Sequence, residues 1–515
     1  MISKTFVNAL AFLASTAAAF PTLEFRSGDA LVQYLKRAAT PSLNFTISPD
    51  ASIITPDSPN WENETIRWST WSAPSYSVAF IPAEEQDITT GLRYMSSHNI
   101  SFLAMGGGHG NTLTLGTVEN AVLINMQQFN DITVNPDDTI TIGGGSRFGA
   151  VYDVAYAAGR ELPLGSCPCV GVGGASLGGG HGRLQGVYGL IVDAIVSLRV
   201  ALWDGSIVTA SATENPDLFW AMRGAGHNFG IVIDFTFKTW PLSNDGLVYN
   251  ADMTFTTDSL EGLLDNVNQL IPDQDPGLAL DIFITSDHTT GETSISLNIV
   301  YAGTREEGDA FTALFASASN STRYPIERLD LNVTMIPWNL LPQVAANGSI
   351  VHACTEGFSY NVYTANLRNF DLVQQREILT SYQNFVAENP LAVGTLIFYE
   401  IFGQKAVIEQ PAEETSAGNR DYANVLAILQ TTYTDDAVAD AADAWGHHWR
   451  DQLILPQHSG YDIESVYMNY AHGDEPLEAM YGWEPWRLER LRSLKARYDP
   501  HGFFNHYNSV LGTEL

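Results

Sequence analysis

The sequence predicts an α+β chain, and three observations carry that reading. At 515 residues it exceeds what one hydrophobic core usually covers, so two or three domains are expected. Before Leu242, short strands and helices alternate with loops dense in glycine. Beyond Leu242 that texture stops. Alternating strands such as TSISLNIVYAG (293–303) and TLIFYEIFG (395–403) follow, with helices such as LVQQREILTSYQNFVAE (372–388) between them. This is the pattern of an antiparallel sheet with covering helices.

The N-terminus reads as a secretory signal. Lys4 supplies the charge, FVNALAFL the apolar stretch, and small residues precede a cut near Ala19. A buried N-terminal helix is the alternative, but Pro21 would break it. Glycosylation sequons begin at Asn44, Asn63, Asn99, Asn320, Asn332 and Asn347, which fits export.

The first elements follow in order. DITTGLRYMSSHN carries Ile88, Leu92 and Met95 at helical spacing, and ISFLAMGGG is a strand running into a glycine loop. TITIGGG repeats that design, and FGAVYDVAYAAG is a helix closed by Gly159. The stretch CPCVGVGGASLGGGHGRLQGVYG (167–189) has too many glycines for a regular element to persist. AIVSLRVALWDGSIVTAS is a hairpin turning at Asp204-Gly205, NPDLFWAMRG a helix with Pro216 in its first turn, and IVIDFTFKTWP a strand. Near the end, WRLERLRSLKARYDPHGFFNHY is a basic helix stopped by Pro500 and Gly502.

Composition excludes some functions. With 25 basic against 58 acidic residues the formal charge is −33, which repels nucleic acid. No later segment is apolar for long enough to span a bilayer. The three cysteines, Cys167, Cys169 and Cys354, make no disulfide framework; the first two are too close for an ordinary structural bridge. The odd count leaves at least one sulfur for other work.

Several motifs lead nowhere. GASLG (174–178) matches a nucleophile elbow, but the glycines after it make a helix improbable, so Ser176 reads as a turn residue. TITIGGGSRFG lacks the βαβ frame and the acidic strand end of a Rossmann fingerprint. His447 and His448 are helix neighbours that point apart and cannot share a metal; a solvated face is expected, and no metal site is assigned.

The glycine loops at 105–110, 171–182 and 223–230 share one property. Successive N–H groups without side chains form concave anion sites suited to a pyrophosphate. Any one of them could be a mere turn, but three so close together are harder to explain that way.

Taken in order, GGGH, CPCVGVGGASLGGG, YGLIVDAIVSLRVALWDGSIVTAS, NPDLFWAMRGAGHNFGIV, YMNYAHGD and YDPHGFF resemble the berberine-bridge-enzyme-like FAD oxidases of the vanillyl-alcohol-oxidase type. The resemblance implies a PCMH-type FAD-binding domain at 20–242 (core about 74–242), completed by a C-terminal segment at 467–515. A substrate domain of antiparallel sheet and covering helices, 243–466, is inserted between them. It implies FAD bound covalently through His109, to the 8α methyl, and through Cys167, to carbon 6. Gly106, Gly107, Gly108, Gly110, Gly171, Gly173, Gly174, Gly179, Gly230, Val232 and Asn469 would complete the cofactor site. Cys169 falls at the variable position of its motif and is expected to be a small packing residue.

By the same resemblance Tyr470, on the Y-x-N-Y strand, takes the proton of a substrate hydroxyl. A phenol must be shifted by a neighbour to do so at ordinary pH. Glu400 would project beside it. Ala175 and His181 depart from the residues common in relatives, so flavin tuning cannot be carried over. The function implied is a secreted oxidase passing hydride from an alcohol or phenolic small molecule, of the secondary-metabolite kind, to FAD and then to dioxygen. Alternatives are an oligosaccharide oxidase acting at the reducing end and a non-catalytic flavin- or carbohydrate-binding protein. A monomer with no nucleic-acid or membrane partner is expected.

Overall fold

Among the described residues, three large β-sheets and a two-strand pairing of Arg160–Glu161 with Trp240–Pro241 organise the chain, and the facing surfaces of the large sheets decide where a ligand can sit. The structure is a computed structural model that describes residues 43–316 and 323–513. The expected signal at 1–19 and the sequon at Asn320 lie outside the described residues.

The first sheet orders the strands Ser52–Ile54, Tyr76–Ile81, Ala121–Asn125 and Phe102–Met105, the last three running parallel. Helix Glu85–Ser97 covers it, burying Ile88, Leu92 and Met95 as their spacing requires. The second sheet is antiparallel, in the order Ile132–Val134, Thr139–Gly143, Ile231–Lys238, Ile195–Ala201 and Ile207–Ser211. The hairpin turns at Gly205, whose positive φ of 74° suits glycine. No dinucleotide-type βαβ unit follows Thr139–Gly143, because that strand pairs antiparallel on both sides.

The third sheet has seven antiparallel strands: Arg328–Pro337, Leu247–Phe255, Thr293–Tyr301, Leu278–Ser286, Leu396–Phe402, Val425–Tyr433 and Ser359–Leu367. Strand periodicity gives it two different faces. Leu280, Ile282, Ile284, Ile397, Tyr399 and Ile401 pack under helices Leu260–Leu270, Leu372–Glu388 and Ala439–Leu453. The alternate positions Asp281, Phe283, Thr285, Phe398 and Glu400 face a cavity instead. The C-terminal helix Pro485–Tyr498 returns to the glycine-rich part of the molecule. Its Leu488, Leu491 and Leu494 share one core with Leu218, Trp220 and Met222.

Three local expectations need correction. The glycine-rich stretch after Cys167 does hold regular structure, helices Val172–Leu177 and Gln185–Tyr188, and Ser176 is a buried helical residue. Packing overrides propensity here: a Cβ on Gly173 would lie 2.4 Å from the Gly144 carbonyl oxygen, so only glycine lets the helix seat. Met468–Tyr470 is a 3₁₀ turn, not a strand. His448 is exposed as expected, but His447 turns toward Asp443, Asp474 and His472.

Candidate active site

A cavity of about 910 Å³ lies between the glycine-rich sheets and the open face of the seven-stranded sheet. That is near the upper end for ligand sites. Part of the wall is made of backbone. Gly106, Gly107, Gly108 and Gly110 line it from the loop after Phe102–Met105. Gly171, Gly173 and Gly174 line it from the start of Val172–Leu177, with Gly230 and Val232 beside them. The two loops touch chain to chain: a Cβ on Gly107 would sit 2.3 Å from the Gly171 nitrogen, and one on Gly171 2.4 Å from the Gly107 nitrogen. At Gly174 a Cβ would meet nothing within 4 Å, so this wall opens onto space that a side chain would fill. Gly179 does not line the cavity. It turns the chain at φ 115° against Tyr467 and Leu190.

His109 and Cys167 meet in this part of the wall although they are far apart in sequence. His109 Nδ1–H donates to the Gly107 carbonyl at 3.0 Å, and its ring lies parallel to Trp68, which stacks on Tyr360. Burial lowers its pKa to about 4, with the Gly107 hydrogen bond opposing, so the imidazole is neutral. Cys167 is a free thiol, and burial pushes it up to about 11.

Cys169 is not the packing residue expected. It forms a disulfide with Cys354, brought close by the 3₁₀ segment Ala346–Cys354, a pairing between residues too distant in sequence for spacing to reveal. The Cys167 sulfur lies 3.3 Å from Cys169 Sγ and 3.7 Å from Cys354 Sγ. Pairing the other two is what leaves Cys167 free.

The part of the wall formed by the seven-stranded sheet carries ionisable side chains. Glu400, 8 % exposed, lines the cavity with Asp281 and Arg183. Arg183 donates to Asp281 at 2.6 Å, and both are buried. Glu400 is pushed up to about 8 by burial and then by the Asp281 charge, with Arg183 opposing. His181, stacked on Phe402, stands 3.4 Å from Glu400, but burial lowers it to about 3, so the contact is not an ion pair. Its backbone N–H donates to the Tyr467 hydroxyl at 3.1 Å.

Tyr470 also lines the cavity, edge-on to Tyr467 with ring centres 5.0 Å apart. Asn469 braces the turn: its Nδ2 donates to the Tyr467 hydroxyl at 2.7 Å and to the Ala175 carbonyl at 2.8 Å. The expected shift of Tyr470 is reversed. Burial and then the Glu400 charge raise the phenol well above its ordinary value. Residues not singled out from sequence, Trp68, Arg183, Asp281 and Tyr467, complete this wall. Of these only Asp281 left a trace, a carboxylate at an alternating position in LALDIFITS.

These residues fit an FAD. The side-chain-free cradle suits a pyrophosphate, and a neutral imidazole and a free thiol stand together in the wall of the same cavity. The described residues include no helix long and apolar enough to cross a membrane.

Comparison with known proteins agrees. Residues 76–211 match the family model described as FAD binding domain, and 466–511 match the one described as Berberine and berberine like. The FAD-linked oxidoreductase srdI of Neurospora crassa is 32% identical over 99% of both chains. The FAD-linked oxidoreductase OXR1 of Pyricularia oryzae is 34% identical over 87% of both. Among solved structures, wild-type BBE-like 1 of Physcomitrella patens has a TM-score of 0.75 at 21% identity, covering 90% of this chain and 98% of that one. Glucooligosaccharide oxidase of Acremonium strictum, whose description names a 6-S-cysteinyl, 8α-N1-histidyl FAD, has a TM-score of 0.73 at 20% identity, covering 90% of this chain and 97% of that one.

Proposed function

The chain belongs to the berberine-bridge-type FAD-linked oxidoreductases, and from that premise we propose that it oxidises an alcohol or phenolic small molecule with a doubly tethered flavin and dioxygen. The observation that carries the reading is the convergence of His109 and Cys167 on the lining of one cavity that Tyr470 and Glu400 also line. When bound, FAD supplies the acceptor for the substrate's hydride and passes the electrons to dioxygen, giving hydrogen peroxide.

The chain's own residues do the rest. His109 would hold the flavin at its 8α methyl and Cys167 at carbon 6. The disulfide removes Cys169 as a competitor for that second bond. Gly107 and Gly171 let the two loops pack chain to chain, and their backbone would cradle the pyrophosphate. In the ionisable part of the wall, Tyr470 takes the substrate hydroxyl proton while its own proton moves toward ionised Glu400. A phenol held far above neutral is a poor base alone; a carboxylate near pKa 8 is well matched to receive a proton at ordinary pH. The Asp281 charge, countered in part by Arg183, keeps Glu400 in that range.

The aromatic wall of Trp68, Phe283, Phe358, Tyr360 and Phe398 supports a flat or apolar substrate. The same stacked pair, Trp68 on Tyr360, supports the second reading, a reducing-end sugar, because sugar faces also pack on rings. Anaerobic flavin bleaching with a panel of phenols, alcohols and oligosaccharides, followed by peroxide assay, decides between them. Failure of every member to bleach the flavin would favour a non-catalytic protein. We also read the chain as secreted and glycosylated at the exposed Asn44, Asn63, Asn99, Asn332 and Asn347. Protein from its native host should start after Ala19 and lose mass on deglycosylation.

A further inference from the structure

Behind the turn that carries Tyr470 lies a cluster that the flavin site does not use. Asp443 and His447 are four residues apart on helix Ala439–Leu453 and so share a face. His472 arrives from the chain just after Met468–Tyr470. One ligand atom from each lies within 4.8 Å of the other two.

The way the two imidazoles are held sets this cluster apart from a packed surface. His447 Nε2–H donates to the Asp474 carboxylate at 3.2 Å, and Arg450 donates to the same carboxylate at 3.0 Å and holds it in place. His472 Nδ1–H donates to the Val362 carbonyl at 3.1 Å. Each bond fixes the proton on the outer nitrogen and leaves a lone pair on the inner one. Those inner nitrogens, His447 Nδ1 and His472 Nε2, are buried without a hydrogen-bond partner. His472 itself is only 1% exposed. Buried polar atoms are nearly always satisfied, so two orphans facing one carboxylate need an explanation. Histidines that bind metals are oriented in this way, the second nitrogen donating to a carboxylate or a backbone carbonyl. Asp443 accepts from the Tyr363 hydroxyl and is itself exposed, which gives an ion a way in.

We propose that Asp443, His447 and His472 bind one divalent transition-metal ion of the zinc class, with water completing a four-coordinate site. Two imidazoles and one carboxylate suit zinc, cobalt, nickel or copper better than magnesium or calcium. Bonds of about 2.0–2.2 Å require the atoms to draw together, which the exposed Asp443 side chain can do by rotation. The ion would clamp the helix on the large sheet to the segment that carries Tyr470, and so act as a positioning element.

The test uses the full-length flavoprotein, stripped with chelator and reloaded with zinc or cobalt. One equivalent of zinc should be retained, and it should raise the thermal midpoint. Cobalt should give the visible bands of a low-coordinate nitrogen and oxygen site, with no sulfur-to-cobalt charge transfer from Cys167. His447→Gln and Asp443→Asn should each weaken binding by about tenfold or more, while His448→Ala should not. If His447→Gln does not fold, the exposed Asp443→Asn carries the comparison alone. No retained zinc in the wild type, unchanged binding in Asp443→Asn, or a sulfur signature with cobalt would each overturn the assignment.

Discussion

The glycine-rich and sheet-borne parts of the cavity wall are built on opposite principles. In the glycine-rich part the wall is backbone: Gly107 and Gly171 stand so close that neither loop could carry a side chain there. In the sheet part the wall is ionisable side chains, Glu400, Asp281, Arg183 and Tyr470, buried together so that each alters the proton affinity of the next. The first part recognises shape and charge through atoms every residue has. The second depends on which side chains are present, so it can move a proton and can be retuned by single substitutions. In this account a cofactor common to the family is held by the first, and the chemistry of one substrate is set by the second.

The largest effect should come from breaking the backbone part. Gly107→Ala puts a Cβ against the Gly171 nitrogen, a clash that neither loop can relieve without parting. Overpacking of this kind costs roughly 1–3 kcal/mol. Here it should also empty the cradle, and purified Gly107→Ala should carry little or no FAD by its visible absorbance. Full flavin loading would show that the contact between the loops is dispensable.

In the sheet part, Tyr470→Phe keeps the ring and removes the hydroxyl. Flavin content should hold while anaerobic bleaching by a good substrate slows by roughly 10²–10⁴-fold. Reoxidation by dioxygen should change much less. Bleaching within a few-fold of wild type would remove Tyr470 from the proton path.

A smaller effect separates Glu400 from Tyr470. The Glu400 carboxyl is raised to about 8, and the proposed path needs it ionised, so kcat/KM should rise with pH through that region and level off above it. Glu400→Gln should be slower and lose that limb. An unchanged profile would assign the limb to another group.

The smallest effect on chemistry tests the disulfide. Cys169→Ser opens the link to Cys354 and should cost about 2–5 kcal/mol of stability, seen as a lower thermal midpoint. Flavin attachment should survive it. If the thermal midpoint is unmoved, the disulfide contributes nothing to the fold.

The same contrast explains what the sequence could disclose. Elements with strong local patterns were legible: Ile88, Leu92 and Met95 on one helix face, the turn at Asp204-Gly205, and the alternation in TLIFYEIFG. So was the glycine-rich part of the wall, because a backbone site leaves a compositional mark. The sheet part was legible only through resemblance, since a buried Arg183–Asp281 pair brings together residues with no local relation. Failures had tertiary causes. Helix Val172–Leu177 forms in a glycine-rich run because it packs on Gly144, and Tyr470 is raised because it is buried beside the Glu400 charge. The Cys169–Cys354 pairing depends on a loop returning from the far sheet.

Peptide mapping decides whether the flavin is doubly tethered. The holoprotein is denatured in acid, digested, and its yellow peptides are identified by mass spectrometry. A single flavin should be joined to two peptides, one containing His109 and the other containing Cys167, with Cys169 linked only to Cys354. FAD released free into the supernatant, or a flavin bonded to Cys169, would contradict that double tether.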